Sequence, residues 1–138
     1  HLDFDLDLAK SQTNENPVYY IQYAHARVCS VLTQWNGDES SLAQADFARL
    51  DNAHELAVAA KLGEFPELIE SAAKELAPHM VAFYLKDLAA AFHSYYNAER
   101  MLVDDPALRL ARVTLAAAVR QTIRNGMGML GVSCPQTM

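Results

Sequence analysis

Asn16-Pro17-Val18-Tyr19-Tyr20-Ile21-Gln22-Tyr23-Ala24-His25-Ala26-Arg27 is the stretch whose reading decides the fold. Asn16 can cap a helix, and Pro17 suits the first helical position, where no backbone N–H is needed. From there Tyr19, Tyr20, Tyr23, Ala24, Val28, Val31 and Leu32 recur at three- and four-residue spacing. That period predicts an amphipathic helix from Pro17 to about Gln34, ended by Asn36-Gly37.

Outward from this helix the pattern stays helical. Asp38 to Asn52 is acidic and interrupted, with a short helical turn expected around Leu42 to Ala45. Asp51 or Asn52 caps a short helix through Lys61 that turns Leu56, Ala59, Ala60 and Leu62 inward, and Gly63 closes it. Phe65 to Leu76 is a second short helix with Leu68, Ile69, Ala72, Ala73 and Leu76 inside. Pro78 opens a long helix to about Met101, its inner face Val81, Leu85, Leu88, Ala89, Phe92 and Tyr96. Asp104 or Asp105, followed by Pro106, opens a last long helix to about Asn125 or slightly beyond, its end loosened by Gly126, Gly128 and Gly131. Upstream, Leu2, Phe4, Leu6 and Leu8 alternate with Asp3, Asp5 and Asp7, a period-two pattern with no strand to pair with. These stripes pose one packing problem, and an all-α helical bundle solves it. The expected organisation is an arm over residues 1–15 and one helical domain over 16–138.

At 138 residues the chain can bury a core without metal or disulfide. Its two cysteines, Cys29 and Cys134, read as reduced thiols in a cytoplasmic protein. No signal peptide is evident, and no apolar run approaches the length that crosses a bilayer. A chain that starts at His1 is expected to be a fragment. The net charge of −6 argues against a general nucleic-acid binder. The charge is lopsided, however: Gly37 to Glu75 holds nine acidic residues against three basic, whereas Pro106 to Met138 holds four arginines and no carboxylate. A local basic face or an ordinary solvated surface both fit that distribution.

Catalytic and metal-binding constellations are missing. There is no phosphate loop, no H-E-x-x-H, no cysteine pair at metal spacing and no nucleophile elbow. His1, His25, His54, His79 and His93 are scattered, and a lone helical histidine usually serves packing. Tyr23 and Arg27 share a helix face with Tyr20 one turn earlier. Such a group suits an unstacked base; it equally suits a tyrosine-rich core stripe whose arginine snorkels to water. Arg109, Arg112, Arg120 and Arg124 could form a phosphate-binding ridge or tie their helix to carboxylates elsewhere. Tyr95-Tyr96 adds an aromatic pair near a chain reversal, and the tail could bring Met138 back onto the bundle.

The stretch from Asn16 to Arg27 closely resembles the opening of the anticodon-binding domain of arginyl-tRNA synthetases. Leu2 to Lys10 is similar to the linker that follows the catalytic core in that family, and Phe92-His93-Ser94-Tyr95-Tyr96-Asn97 to its aromatic segment. Ala107-Leu108-Arg109 resembles the DALR motif with Pro106 in place of the aspartate, a residue at ease at a helix start. Gln121 to Gly126, Leu130-Gly131-Val132 and Met138 resemble the closing helix and tail. The resemblance implies that Tyr20, Tyr23, Arg27, Tyr96 and Met138 meet the anticodon loop of an arginine tRNA. It also implies a parent ligase that joins L-arginine to that tRNA with ATP and magnesium, in the cytoplasm. This stretch, with no catalytic residue or cofactor of its own, would then work beside its own catalytic domain, without membrane or DNA partners. A free-standing helical protein-interaction module, and the anticodon domain of a cysteinyl or methionyl enzyme, are the alternatives. An enzyme acting through His25 or His93 lacks an assembled constellation.

Overall fold

The computed structural model describes residues 15–138; the expected arm at the start of the chain therefore lies almost wholly outside the described residues. Asn16 caps α1 (Pro17–Trp35) by accepting the N–H of Val18 at 3.1 Å. Asn36 ends it in the left-handed region at φ 53°, its N–H bonded to the Leu32 carbonyl. Asparagine tolerates that conformation better than most residues. The Trp35 ring then folds over Gly37, where a Cβ would lie 2.4 Å from a ring carbon. Two 3-10 turns follow, Glu39–Gln44 and Phe47–Arg49, in place of the single turn expected there.

Asn52 and Glu55 open α2 (Ala53–Gly63) with a capping box: each side chain accepts the other's backbone N–H. α3 (Phe65–Lys74) leads through a tight reversal to α4 (His79–Ala98). Asp105 caps α5 (Pro106–Met129), accepting the N–H of Ala107 at 3.0 Å. The helix runs to Met129, slightly beyond Asn125, with Gly126 inside it. A Cβ on Gly126 would fall 2.7 Å from a Leu85 methyl carbon, so α4 and α5 approach closely there.

α1, α4 and α5 enclose the core, and α2 and α3 cover α4 from the other side. Val28, Leu85, Leu88, Phe92, Val113, Val119 and Ile123 are fully buried, each worth about 1.5–3 kcal/mol relative to an exposed side chain. The expected inner faces hold for the long helices except at Tyr96, which is half-buried while Tyr95 is buried in its place, and they fail in α2. Leu56 is 55% exposed and Ala59 and Ala60 face solvent, while Glu55 and Val58 point inward. The cause is electrostatic: the Glu55 carboxylate accepts from the Tyr95 hydroxyl and from Arg112 Nε, both at 2.8 Å. A pattern that scores only apolar residues misses such an inward carboxylate. In α3 the expected inward Ala73 and Leu76 also fail. Leu76 lies past the helix end at φ 51° and is 87% exposed, because the following Ala77 N–H must reach back to the Ala72 carbonyl. Among the described residues there is no strand, and no helix is long and apolar enough to cross a membrane.

Candidate functional site

Tyr23 and Arg27 stand one turn apart on α1, facing His93 and Tyr96 on α4. The Arg27 guanidinium lies 4.6 Å from the Tyr23 ring centroid and 4.4 Å from that of Tyr96, held between two phenols. Each ring attracts the cation through its quadrupole. Arg27 Nη1 is 2.9 Å from His93 Nδ1. Arginine only donates, so Nδ1 carries the lone pair and the proton sits on Nε2, 3.3 Å from the Tyr20 carbonyl it donates to. Burial lowers the His93 pKa, the Tyr20 carbonyl acts the other way, and the Arg27 charge lowers it further. His93 is thus a neutral, single-tautomer support for the guanidinium. The Tyr20 ring packs 4.7 Å from the imidazole, behind the Arg27 pair.

Beyond these rings lies a cavity of about 600 Å³. It is lined by Tyr23, Arg27, Cys29, Ser30 and Thr33 of α1, by Tyr96 of α4, and by Gln136, Thr137 and Met138 of the tail, which form a rim. The rim exists because the chain turns back after α5. Gly131 takes φ 72°, a left-handed conformation that glycine adopts freely, and Val132 N–H bonds the Met127 carbonyl at 2.9 Å. The returning tail is then fastened to α1. Gln22 Nε2 donates to the Ser133 carbonyl at 2.8 Å. His25, fully buried, receives Arg124 Nε at its own Nε2 at 2.8 Å, so its Nδ1 proton points to the Pro135 carbonyl at 3.1 Å. Burial lowers the His25 pKa; the Pro135 carbonyl opposes this, and Arg124 and Arg120 add to it.

The structure thus brings Tyr23, Arg27, Tyr96 and Met138 to one cavity, with Tyr20 as backing. The four arginines of α5 do not form an open ridge. Arg112 is corrected from the expected phosphate contact: it is buried, bonded to Glu55 and to the Arg100 carbonyl at 2.6 Å, and Glu99 lies at 3.6 Å. Arg120 pairs with Glu39, Arg109 donates to the Val103 carbonyl at 3.2 Å, and Arg124 holds His25. All three are half-buried.

Sequence reasoning passed over His25 and His93 as functional supports. The signal was present, since each lies within one or two turns of a tyrosine or arginine already singled out, but their partners come from other elements. Cys29 lies 3.7 Å from His25 Nδ1, yet that nitrogen's proton is directed to Pro135 and the thiol is buried, which is no nucleophile–base pair. Burial pushes the Cys134 thiol pKa up. Among the described residues no cluster of histidine, cysteine and carboxylate side chains could hold a metal. The cavity offers stacking faces, one cation, hydroxyl and amide hydrogen-bonding groups and no carboxylate side chain. It suits a planar hydrogen-bonding ring attached to an anionic backbone.

A sequence profile described as the DALR anticodon binding domain matches residues 21–138. Arginine–tRNA ligase of Dechloromonas aromatica is 75% identical over the whole chain, which covers 24% of that protein. A solved chain from Campylobacter jejuni, assigned as an arginyl-tRNA synthetase, superposes with TM-score 0.89 at 28% identity. It is covered over 30% of its length by all of this chain. Thermus thermophilus arginyl-tRNA synthetase gives TM-score 0.84 at 33% identity, with 99% of this chain matching 24% of that one. The chain therefore spans about a quarter of the length of the curated relatives it matches.

Proposed function

The chain belongs to the DALR anticodon binding domain family, and from that premise we propose that its cavity receives an unstacked base from the anticodon loop of an arginine tRNA. The observation that carries this reading is the Arg27 guanidinium held between Tyr23 and Tyr96 at the edge of the cavity bordered by Met138. Tyr23 and Tyr96 offer ring faces for stacking, and Arg27 offers hydrogen bonds or a phosphate contact. Tyr20 acts from behind, by fixing His93. Met138 and its neighbours border the base that enters. Of the α5 arginines, Arg109, Arg120 and Arg124 remain phosphate contacts only where a loop phosphate displaces an existing partner. The net charge of −6 fits a reader that uses shaped contacts over a limited face.

The relatives' names, arginine–tRNA ligase and arginyl-tRNA synthetase, extend the reading to a parent that ligates L-arginine to its tRNA; the family resemblance of the sequence adds use of ATP and magnesium, release of AMP and diphosphate, and a cytoplasmic setting. This stretch supplies no catalytic group to that reaction; it would hold the loop while the catalytic domain acts in cis. Neither a membrane nor DNA enters the scheme.

Titrating the chain with an arginine anticodon stem-loop, and with a control whose middle anticodon base is changed, tests the proposal through amide chemical shifts. Base-dependent shifts on α1 around Tyr23 and Arg27 and on the tail at Met138 are expected. Equal shifts with both loops at the α5 arginines alone would reduce the site to an electrostatic platform. Absence of shifts at high loop concentration would remove autonomous recognition.

A further inference from the structure

The tail is packed onto the core as far as Val132 and Cys134, and beyond them the rim has few anchors of its own. It is exposed from Pro135 onward, and no regular element holds it. Its position rests on side chains of α1 and α5, and the most constrained of these is His25. This imidazole is fully buried and bonded at both nitrogens by groups of opposite kind, Arg124 on one side and a tail carbonyl on the other. An arginine donor cannot be matched by an N–H, so Arg124 fixes the proton on Nδ1, the only tautomer that can donate to Pro135.

We infer that His25 is a positioning residue for base discrimination: Arg124 sets its tautomer, and His25 in turn sets the register of the Gln136–Met138 rim. The inference rests on the anticodon reading above and deepens it, since it names what aligns the part of the site that would meet the base. Gln22 holds the tail earlier, at Ser133, three residues before the rim. Among the described residues, His25 makes the hydrogen bond to the residue next to the rim. Arg124, a phosphate contact only if that partner is displaced, acts through the imidazole while the bond is made.

Two substitutions split the roles of the ring. In His25→Asn the amide nitrogen falls near the place of Nδ1 and can still donate to Pro135, without any tautomer to be set. In His25→Gln the amide oxygen falls near the place of Nε2 and can still accept from Arg124, while the tail bond is lost. Both are measured in the whole 138-residue chain, first without RNA, by the amide shifts and hydrogen exchange of Gln136, Thr137 and Met138. The second readout is the ratio of affinities for the arginine stem-loop and its middle-base control. Asparagine should keep the free-state tail shifts and the ratio. Glutamine should release the tail and lower the ratio about five- to tenfold, as expected for one lost hydrogen bond. Arg124→Ala should lower the ratio in the wild-type background and leave it unchanged in His25→Asn. Loss of a phosphate contact would instead weaken both loops equally and reduce the salt dependence.

A tail and ratio unaffected by His25→Gln, or an Arg124→Ala effect that is equal for both loops, would overturn the inference. If glutamine prevents folding, as read from the shifts of Tyr95 on the far side of α4, the Arg124→Ala comparison in the two backgrounds decides. A wild-type chain that binds both loops alike refutes the anticodon reading, while the free-state tail shifts still report on the latch.

Discussion

Tyr95 and Tyr96 are consecutive on α4, about 100° apart around its axis, and they lead into two unlike regions. Tyr95 is fully buried and gives its hydroxyl to Glu55, which Arg112 also holds. Burial and the neighbouring carboxylate push its pKa up, so it remains a donor. Tyr96 is half-buried, with one side of its ring against the Arg27 guanidinium and the cavity alongside. Both regions join an α4 tyrosine to an arginine of another helix. In the first, a carboxylate neutralises the guanidinium and both groups are buried. In the second, the guanidinium has rings and a neutral imidazole for neighbours, and among the described residues no carboxylate pairs with it. An arginine with a buried counter-charge holds a fold together, whereas one held by rings beside an open cavity keeps its charge for a visitor.

The sharpest way to break this contrast is Arg112→Met. It leaves the Glu55 carboxylate buried with the Tyr95 hydroxyl as its remaining side-chain partner and should cost about 3–5 kcal/mol of stability in urea denaturation. A loss below 1 kcal/mol would mean that water reaches the carboxylate and the region is not sealed. Tyr96→Ala should do the reverse. Its stability loss should be smaller than that of Arg112→Met, while loop affinity falls by about 1–3 kcal/mol, the worth of one stacked base, in a binding titration. Equal affinity for wild type and variant would place Tyr96 on the structural side of the comparison.

Acidification should act on the open region first. His25 and His93 both have pKa values below the ordinary 6.5, chiefly through burial. An unfolded imidazole protonates near that ordinary value and the folded ones only at lower pH, so between the two the unfolded state binds more protons. Their contribution to stability is therefore complete above about 6.5 and lost as pH falls through the folded-state values. Denaturation midpoints measured on either side of pH 6.5 check the sign, and His93→Asn should weaken the dependence. The smallest effect belongs to Arg109→Ala. Its half-buried guanidinium meets only loop carbonyls, and its removal should change stability by no more than about 0.5 kcal/mol and leave loop discrimination intact.

The long helices were legible because their caps and stripes are local: Asn16-Pro17, Asn36 and Asp105-Pro106 act over a few residues. The tyrosines and Arg27 could be grouped because a helix brings residues four apart together. What the sequence did not disclose depends on groups far apart in the chain. The inward turn of Glu55 follows from Tyr95 and Arg112, on two later helices. The roles of Arg112 and Arg124 looked alike in a stripe and differ because one finds a carboxylate and the other an imidazole. Tyr20 was grouped with Tyr23 on one face, yet it packs on His93 and does not line the cavity. The expected arm at residues 1–15 lies almost wholly outside the described residues, and its organisation stays an expectation.

The fastening of the tail to α1 has a kinetic side. Gln22 to Ser133 and His25 to Pro135 join residues 111 and 110 positions apart, closing a loop around nearly all of the described chain. Packing of α1 on α5, with Arg124 bonded to His25, already closes almost the same loop, so the tail contacts add only the short segment after Met129 and can form last. The rim should be the last part of the molecule to assemble and the first to open in hydrogen exchange, well before the helices release their amides. The cavity is therefore complete only when folding is complete. A bundle that has formed its core but not yet captured its tail would be helical by every spectroscopic measure and still unable to tell one base from another.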